Sequence, residues 1–339
     1  MKDWHDHTPN DAALAKAKAV VLDFYAALDR GPAKDALAKH CAPDLIWRGY
    51  HPFNELHGAD VVAETCWAPL KSALTPMQRR LDLFFAGLNE IDGFSSVWVA
   101  SMGHLMGLFD APWQGIPPTR KIAMLRYAAF HKVVDGRIAE TAMYFDLPHL
   151  MLQAGLQPFP HQTAAELVQP GPVTHGGLLV EAQPAEEAEA TLAAMNRMIN
   201  DLKQWGARDK DGIVEELRRS WNDDMIWWGP TGIGATYTVD RYAEQHAGPF
   251  RNGFSDRMFK GHLCRIAEGH FGGFFGWPNM TLKPSGAFMG MPATGKVGEL
   301  RVIDMYRRSG DKLSENWVFI DFLHFWKQQG IDILARVTR

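Results

Sequence analysis

The densest group of reactive side chains in the sequence is Arg48-Gly-Tyr-His51-Pro-Phe-Asn54-Glu55-Leu-His57-Gly58. Two imidazoles, an amide and a carboxylate in one short loop could rim a pocket mouth. Histidine would supply acid and base near neutral pH, with Asn54 and Glu55 positioning a substrate. The alternative is a solvated loop of ordinary turn residues. His51, His57 and Glu55 are also metal-ligand types, but their spacing on an irregular loop is no metal signature, and neither a metal nor a cofactor is expected. His104 and His131 fall in strand-like runs, where they would face the same cavity or serve as hydrogen-bonded core residues.

A second group lies further along. Asp304 and Tyr306 share one face of a strand-like run, with Trp227 and Trp228 upstream. A carboxylate in an aromatic pocket has a raised pKa and acts as a base or a neutral donor, unless an arginine pairs with it. His51, His57, His104, His131 and Asp304 are therefore the catalytic candidates. Trp47, Asn54, Glu55, Trp67, Arg126, Trp227 and Tyr306 are the substrate-binding ones. For Arg126 and its counterpart Arg301, the preferred partners are Glu140 and Glu315 on the neighbouring strand.

The elements that must position these groups follow from periodicity. Ala12–Leu28 carries apolar residues at helical spacing, and Pro32 suits the first turn of a second helix, Ala33–His40. Asp44–Trp47 reads as a strand, and Asp60 as the cap of a helix over Val61–Leu74. Leu81–Ala86, Val97–Leu108, Ile122–Val133 and Arg137–Phe145 then alternate as strands, separated by Gly, Asp and Pro clusters. Helices first and a strand meander after indicate an α+β domain rather than a βαβ array.

The chain then repeats itself. Residues 115–155 and 290–330 share 11 identities over 41 ungapped positions, where unrelated stretches would share roughly 2 to 3. Asp146 with His149 is answered by Asp321 with His324, and Asp44-Leu-Ile-Trp47 by Asp224-Met-Ile-Trp227. The offset is 180 early in the repeat and 175 late, so five residues are missing from the second copy, opposite Lys71–Gly93. Two similar domains are expected, over 10–157 and 189–339, with helices over Ala190–Trp205 and Gly212–Trp221 opening the second and a Pro-rich linker over 158–188 lying along the first. The loop at Arg48–Gly58 has lost its reactive groups in the second copy, which points to the first domain as the specialised one.

Composition narrows the class. The 339 residues carry a net charge of −4 without a basic block, which disfavours nucleic acid. No run is long and apolar enough to span a membrane, and the polar N-terminus lacks a secretory pattern; His5 and His7 read as a mobile tail. The three scattered cysteines read as buried, reduced thiols in a cytoplasmic protein.

The turn at Asp135-Gly136-Arg137-Ile138, the Gly115-Ile-Pro-Pro-Thr119 stretch and the Asp146-to-Gly155 ending resemble the SnoaL-like polyketide cyclases of the nuclear transport factor 2-like superfamily. The resemblance implies two cones, each a curved antiparallel sheet wrapped by helices and open to a small ligand. It places the family's catalytic carboxylate at Met143 and Val318, and its histidine at Ala129 and Asp304. The usual aldol-cyclase pair is therefore replaced. Asp146 and Asp321 are left as caps of the last helix. The expectation is a cofactor-independent enzyme moving a proton on a hydrophobic carbonyl or lactone-like substrate by isomerisation, dehydration, cyclisation or hydrolysis. The alternative is a non-catalytic protein that binds a hydrophobic ligand. A third reading gives the second domain a structural role, standing in for a dimer partner within the chain as a pseudo-dimer that could itself form a homodimer.

Overall fold

The computed structural model describes residues 7–204 and 206–337, with side chains from Asp11 onward. In the first domain α1 (His7–Arg30) and α2 (Ala33–His40) precede β1 (Cys41–Gly49) and the short β2 (Glu55–His57). His7 thus opens a helix, whereas His5 lies outside the described residues. Next, α3 (Ala59–Val62), a π turn (Ala63–Trp67) and α4 (Ala68–Ala73) form one helical segment. Its cap position is Gly58 at φ +97°, so Asp60 sits in the first turn instead of capping it as expected. The strands β3 (Leu74–Leu88), β4 (Val97–Phe109), β5 (Ile122–Val134) and β6 (Arg137–Phe145) follow, and α5 (Leu147–Gln153) closes the domain. The sheet order is β2-β1-β6-β5-β4-β3.

The second domain repeats this plan with α6 (Ala185–Lys203), α7 (Lys210–Leu217), β7 (Trp221–Trp228), β8 (Ala235–Tyr237), α8 (Val239–Tyr242), a π turn (Ala243–Ala247) and α9 (Gly248–Gly253). The expected end of α6 at Trp205 lies outside the described residues, and Trp221 opens a strand rather than ending a helix. The second sheet follows as β9 (Phe254–Phe259), β10 (Cys264–Glu268), β11 (Phe271–Pro284), β12 (Gly298–Ser309) and β13 (Lys312–Ile320), then α10 (Phe322–Gln328) and α11 (Ile333–Val337). Its order is β10-β11-β12-β13-β7-β8, with β9 also paired to β11. The missing residues fall mainly in one hairpin. Leu88 and Val97 enclose a long turn in the first domain, whereas Glu268 and Phe271 enclose only Gly269-His270 in the second.

Strand alternation divides each sheet into a cone interior and an outer face. On β5, Tyr127, Ala129 and His131 point inward, while Arg126, Ala128 and Phe130 point out. The two outer faces pack on each other. Phe130 meets Phe275 at 5.5 Å and Tyr144 meets Trp277 at 6.2 Å. Phe130 comes so close to Gly273 that a Cβ there would lie 3.1 Å from its ring.

The polar contacts across this interface are duplicated. Asp146 caps α5 by accepting from the His149 N–H, and its other oxygen accepts from the Thr231 N–H of the second domain at 3.3 Å. Asp321 caps α10 through the His324 N–H and accepts the His51 N–H of the first domain at 2.9 Å. Arg126 lies 3.7 Å from Asp146 and donates to the Trp228 carbonyl at 3.0 Å. Arg301 lies 4.0 Å from Asp321 and donates to the Asn54 side chain at 2.9 Å. The expected Arg126–Glu140 and Arg301–Glu315 pairs do not form. Arg126 is on the interface face and out of reach of substrate, while Glu140 takes Arg48 and Lys132, and Glu315 takes Arg307.

The stretch between α5 and α6 touches both domains. It bridges Leu178 to Phe84 and Ala165 to Ala235. A buried Lys18–Glu268 pair at 2.6 Å adds a further link between the domains, with Lys18 also donating to the Leu179 carbonyl.

Replacing Asp146 with alanine strands a buried guanidinium and frees two N–H groups. We expect a loss of about 3–5 kcal/mol in urea denaturation, with the Asp146→Ala/Arg126→Met double variant recovering at least half. Equal instability of the two variants would contradict an electrostatic role for the pair.

Candidate functional site

The first cone is filled. Arg79, on the edge strand β3, lays its guanidinium 3.9 Å over the Tyr25 ring and 5.2 Å from Tyr127. The Tyr25 hydroxyl contacts Ser101 at 2.6 Å and His131 Nε2 at 2.7 Å, and His131 Nδ1 meets the Thr141 hydroxyl at 2.9 Å. Burial, then the nearby Arg79, lowers the His131 pKa to about 3. This imidazole is a satisfied core residue.

The other candidates of this domain do not converge either. His104 pairs through Nδ1 with Asp82 at 3.1 Å. His57 is exposed and meets Glu55 at 3.0 Å, and Glu55 in turn meets Arg48. His51 contributes its backbone N–H to the interface, and its ring is held neutral, with a pKa lowered to about 4 chiefly by burial. Asn54 accepts from Arg301, and Trp47 and Trp67 are core residues packed near Phe53 and Phe145. The loop expected to rim a pocket is therefore part of the domain interface. Among the described residues, no group of three or more His, Cys, Asp or Glu could hold a metal ion, and no helix is long and apolar enough to cross a membrane.

The second domain is open, with a cavity of about 800 Å³ bounded by α6, the π turn, β9 and the inner face of the sheet. Three exchanges account for the difference. Arg79 is paired to Leu105 just as Phe259 is paired to Met280, and Phe259 turns partly to solvent instead of plugging the cone. Tyr127 and Phe145 become the smaller Val302 and Ile320. The edge strand is also broken between Phe259 and Cys264, opposite Pro278, which has no N–H to give the ladder, and Gly261 takes φ +109° there.

Asp304 lies on the cavity floor. It is paired across the sheet with Phe274 on one side and Val318 on the other, so the carboxylate sits one strand over from the position the resemblance assigned to an acid. Asn316 donates its amide to Asp304 at 2.6 Å, and the Tyr306 hydroxyl bonds the same group. No arginine pairs with it in the ion pairs of the described residues. Burial dominates and pushes its pKa up to about 7, although both hydrogen bonds oppose the shift.

Two histidines that sequence reasoning missed flank this floor. His246 stacks on Trp227, its ring centroid 4.1 Å away, and His262 stacks on Phe274 at 3.8 Å. Burial lowers both pKa values to about 3, so both rings are neutral. His246 Nδ1 is buried without a protein partner, whereas the Asn279 side chain bonds the His262 ring. His262 and Asn279 occupy the positions of Asp82 and His104, so the polar pair of the first domain recurs with its members changed. That exchange was readable in the repeat and is the signal that could have found His262.

No family model matches the sequence, and no curated protein does. Similar solved structures include a candidate SnoaL-like polyketide cyclase from Jannaschia sp. CCS1, at 16% identity, covering 41% of this chain and 90% of its own, with a TM-score of 0.34. A nuclear transport factor 2-like protein from Burkholderia thailandensis E264 has 24% identity, 41% and 96% coverage, and a TM-score of 0.32. A Catenulispora acidiphila protein with a ketosteroid isomerase-like fold, in complex with trimethylamine, has 15% identity, 40% and 92% coverage, and a TM-score of 0.32. Each spans about two-fifths of this chain, and the chain itself folds as two α+β domains of like plan.

The raised pKa of Asp304 has a stability consequence. Unfolded, the group ionises near 3.8; folded, near 7. Its contribution is full below pH 4 and is lost as pH rises to about 7, by at most ~4 kcal/mol. Asp304→Asn should therefore be more stable than the parent above pH 7, with the gap closing towards pH 4. Denaturant midpoints measured across that window check this, and a pH-independent gap would count against a protonated Asp304.

Proposed function

We propose that the second domain is a cofactor-independent acid–base catalyst acting on a small apolar carbonyl compound, with the first domain as its packing partner. The observation that supports this best is a lone carboxylate, Asp304, on the floor of a largely apolar cavity, with a pKa near 7 and two fixed hydrogen bonds. A base with that pKa is half ionised at neutral pH, where removal of a weakly acidic proton and its return are both accessible.

In this reading the ionised Asp304 removes the proton α to the carbonyl. The C–H electron pair passes into the carbonyl π system, and negative charge develops on oxygen. Asn316 and Tyr306 keep the carboxylate in place. His246 is neutral, and in the tautomer with a proton on Nδ1 it donates to the enolate oxygen. Protonated Asp304 then returns the proton to the same or a conjugated carbon, giving exchange or isomerisation. The apolar walls exclude water from the enolate.

The test is solvent deuterium incorporation into 2-tetralone and related cyclic ketones, followed by NMR. The rate should rise with pH through about 7 and fall roughly 10²–10⁴-fold in Asp304→Asn. Undiminished exchange in that variant would remove Asp304 from the chemistry. The partnerless His246 Nδ1 also suits a protein that only binds. A ligand retained in native mass spectrometry by the parent and by Asp304→Asn alike, with no exchange by either, would favour that reading.

A further inference from the structure

The chemistry at the mouth of the cavity differs from that of its floor. Lys203, at the end of α6, Arg208, in the segment leading to α7, and Arg257, on the edge strand β9, all line it. They come from three separate elements, so their convergence is not a run of basic sequence. Two nearby carboxylates, Asp256 and Glu216, are held by other groups. Asp256, the other charged residue at the mouth, takes Lys283 at 2.5 Å. Glu216 takes the buried Arg251 at 2.6 Å and also accepts the backbone N–H groups of Gly206 and Ala207. Arg208 donates to the Arg251 carbonyl at 3.0 Å, which brings the two arginines together.

The charge balance is therefore uneven. Among the described residues lining the cavity, Lys203, Arg208 and Arg257 stand against Asp256 and the deep, partly protonated Asp304. Arg257 responds to the crowding: burial first, then Arg251 and Arg208, lower its pKa. A positive rim around a low-dielectric opening concentrates anions. Met198, Leu202, Phe254 and Met280 behind it give apolar wall surface. The two halves of the site call for the two halves of one molecule.

We propose that the ligand of this cavity is an amphipathic acid, whose apolar skeleton reaches Asp304 and whose carboxylate or comparable anion is held at the mouth by Arg208, Arg257 and Lys203. This rests on the reading that the cavity takes a small apolar molecule, and it adds the anionic group. A guanidinium can hold a carboxylate by two parallel hydrogen bonds, which would orient the skeleton as well as attract it.

The experiment compares two fluorescent probes with one skeleton, 1-anilinonaphthalene-8-sulfonate and the uncharged N-phenyl-1-naphthylamine, titrated into the full-length protein. The sulfonate should bind at least tenfold more tightly, and this advantage should shrink when NaCl is raised from 50 to 300 mM. Arg208→Gln/Arg257→Gln should lose the advantage and keep the affinity for the neutral probe within twofold. Val318→Trp, which fills the cavity, should weaken both. Circular dichroism melting identifies any variant that has not folded, and the salt series on the parent stands without variants. Equal binding of the two probes overturns the anionic rim and leaves the apolar cavity standing. Sulfonate binding that survives Val318→Trp also overturns it, because that binding lies elsewhere. Binding of neither probe sinks both readings.

Discussion

A carboxylate withdrawn from water needs hydrogen-bond donors or a counter-charge close by, and Asp146 and Asp321 find part of theirs in the other half of the chain. Each caps its own last helix with one oxygen and accepts a loop N–H of the opposite domain with the other. The donors, His51 and Thr231, hold equivalent positions, as do the arginines 126 and 301 beside the acceptors. The contact is thus a two-fold one written twice in a single chain. It joins helix start, strand end and loop of both domains, and sliding one sheet over the other would break it on both sides at once. The aromatic and glycine contacts around it supply area; these carboxylates supply the register.

That arrangement explains why the repeated residues are the wrong place to look for chemistry. Asp146, Arg126 and their copies are preserved between the halves because both sides of a symmetric contact need them. The cone interiors bear no such constraint, and there the halves part. The first fills with Arg79, Tyr25 and His131, packed ring to guanidinium and hydroxyl to imidazole. The second exchanges bulk for space, so that a buried polar atom without a partner, His246 Nδ1, lies beside a cavity rather than in a packed core. Unsatisfied buried groups cost roughly 1–3 kcal/mol each. A domain that could rely only on its own core would be ill placed to keep them, and the large interface with a fully packed neighbour offsets that cost.

Much of this was legible in the sequence. The duplication, the element order and the strands from β4 to β6 follow from periodicity and from the repeat at an offset of 175. Asp304 was singled out because it stands where the resemblance puts a histidine, beside Tyr306. The histidine-rich loop misled for a physical reason. Residue type proclaims what a side chain can do, yet His51 acts through its backbone N–H on a carboxylate 270 positions away. Arg126 misled in the same way. Its expected partner was the nearest acid across a turn, whereas docking of the domains offered a buried acid and two carbonyls. Such choices are made by tertiary packing, which spacing along the chain does not encode.

The break in the edge strand is the step from a packed cone to an open one. Pro278 removes a ladder donor, Gly261 permits the turn away from the sheet, and Phe259 stands where Arg79 would reach inward. None of the three is a reactive residue. Together they free His262 to lie on Phe274 and Asn279 to reach it, and they leave Arg257 at the opening. Buried polar groups then meet a route from solvent instead of a closed core. The carboxylate on the floor gains its altered proton affinity from the same enclosure, because only a cavity closed on most sides keeps water from solvating it. Opening the cone at one edge while a second, closed cone supports its back reconciles access with burial, and Asp304 requires both.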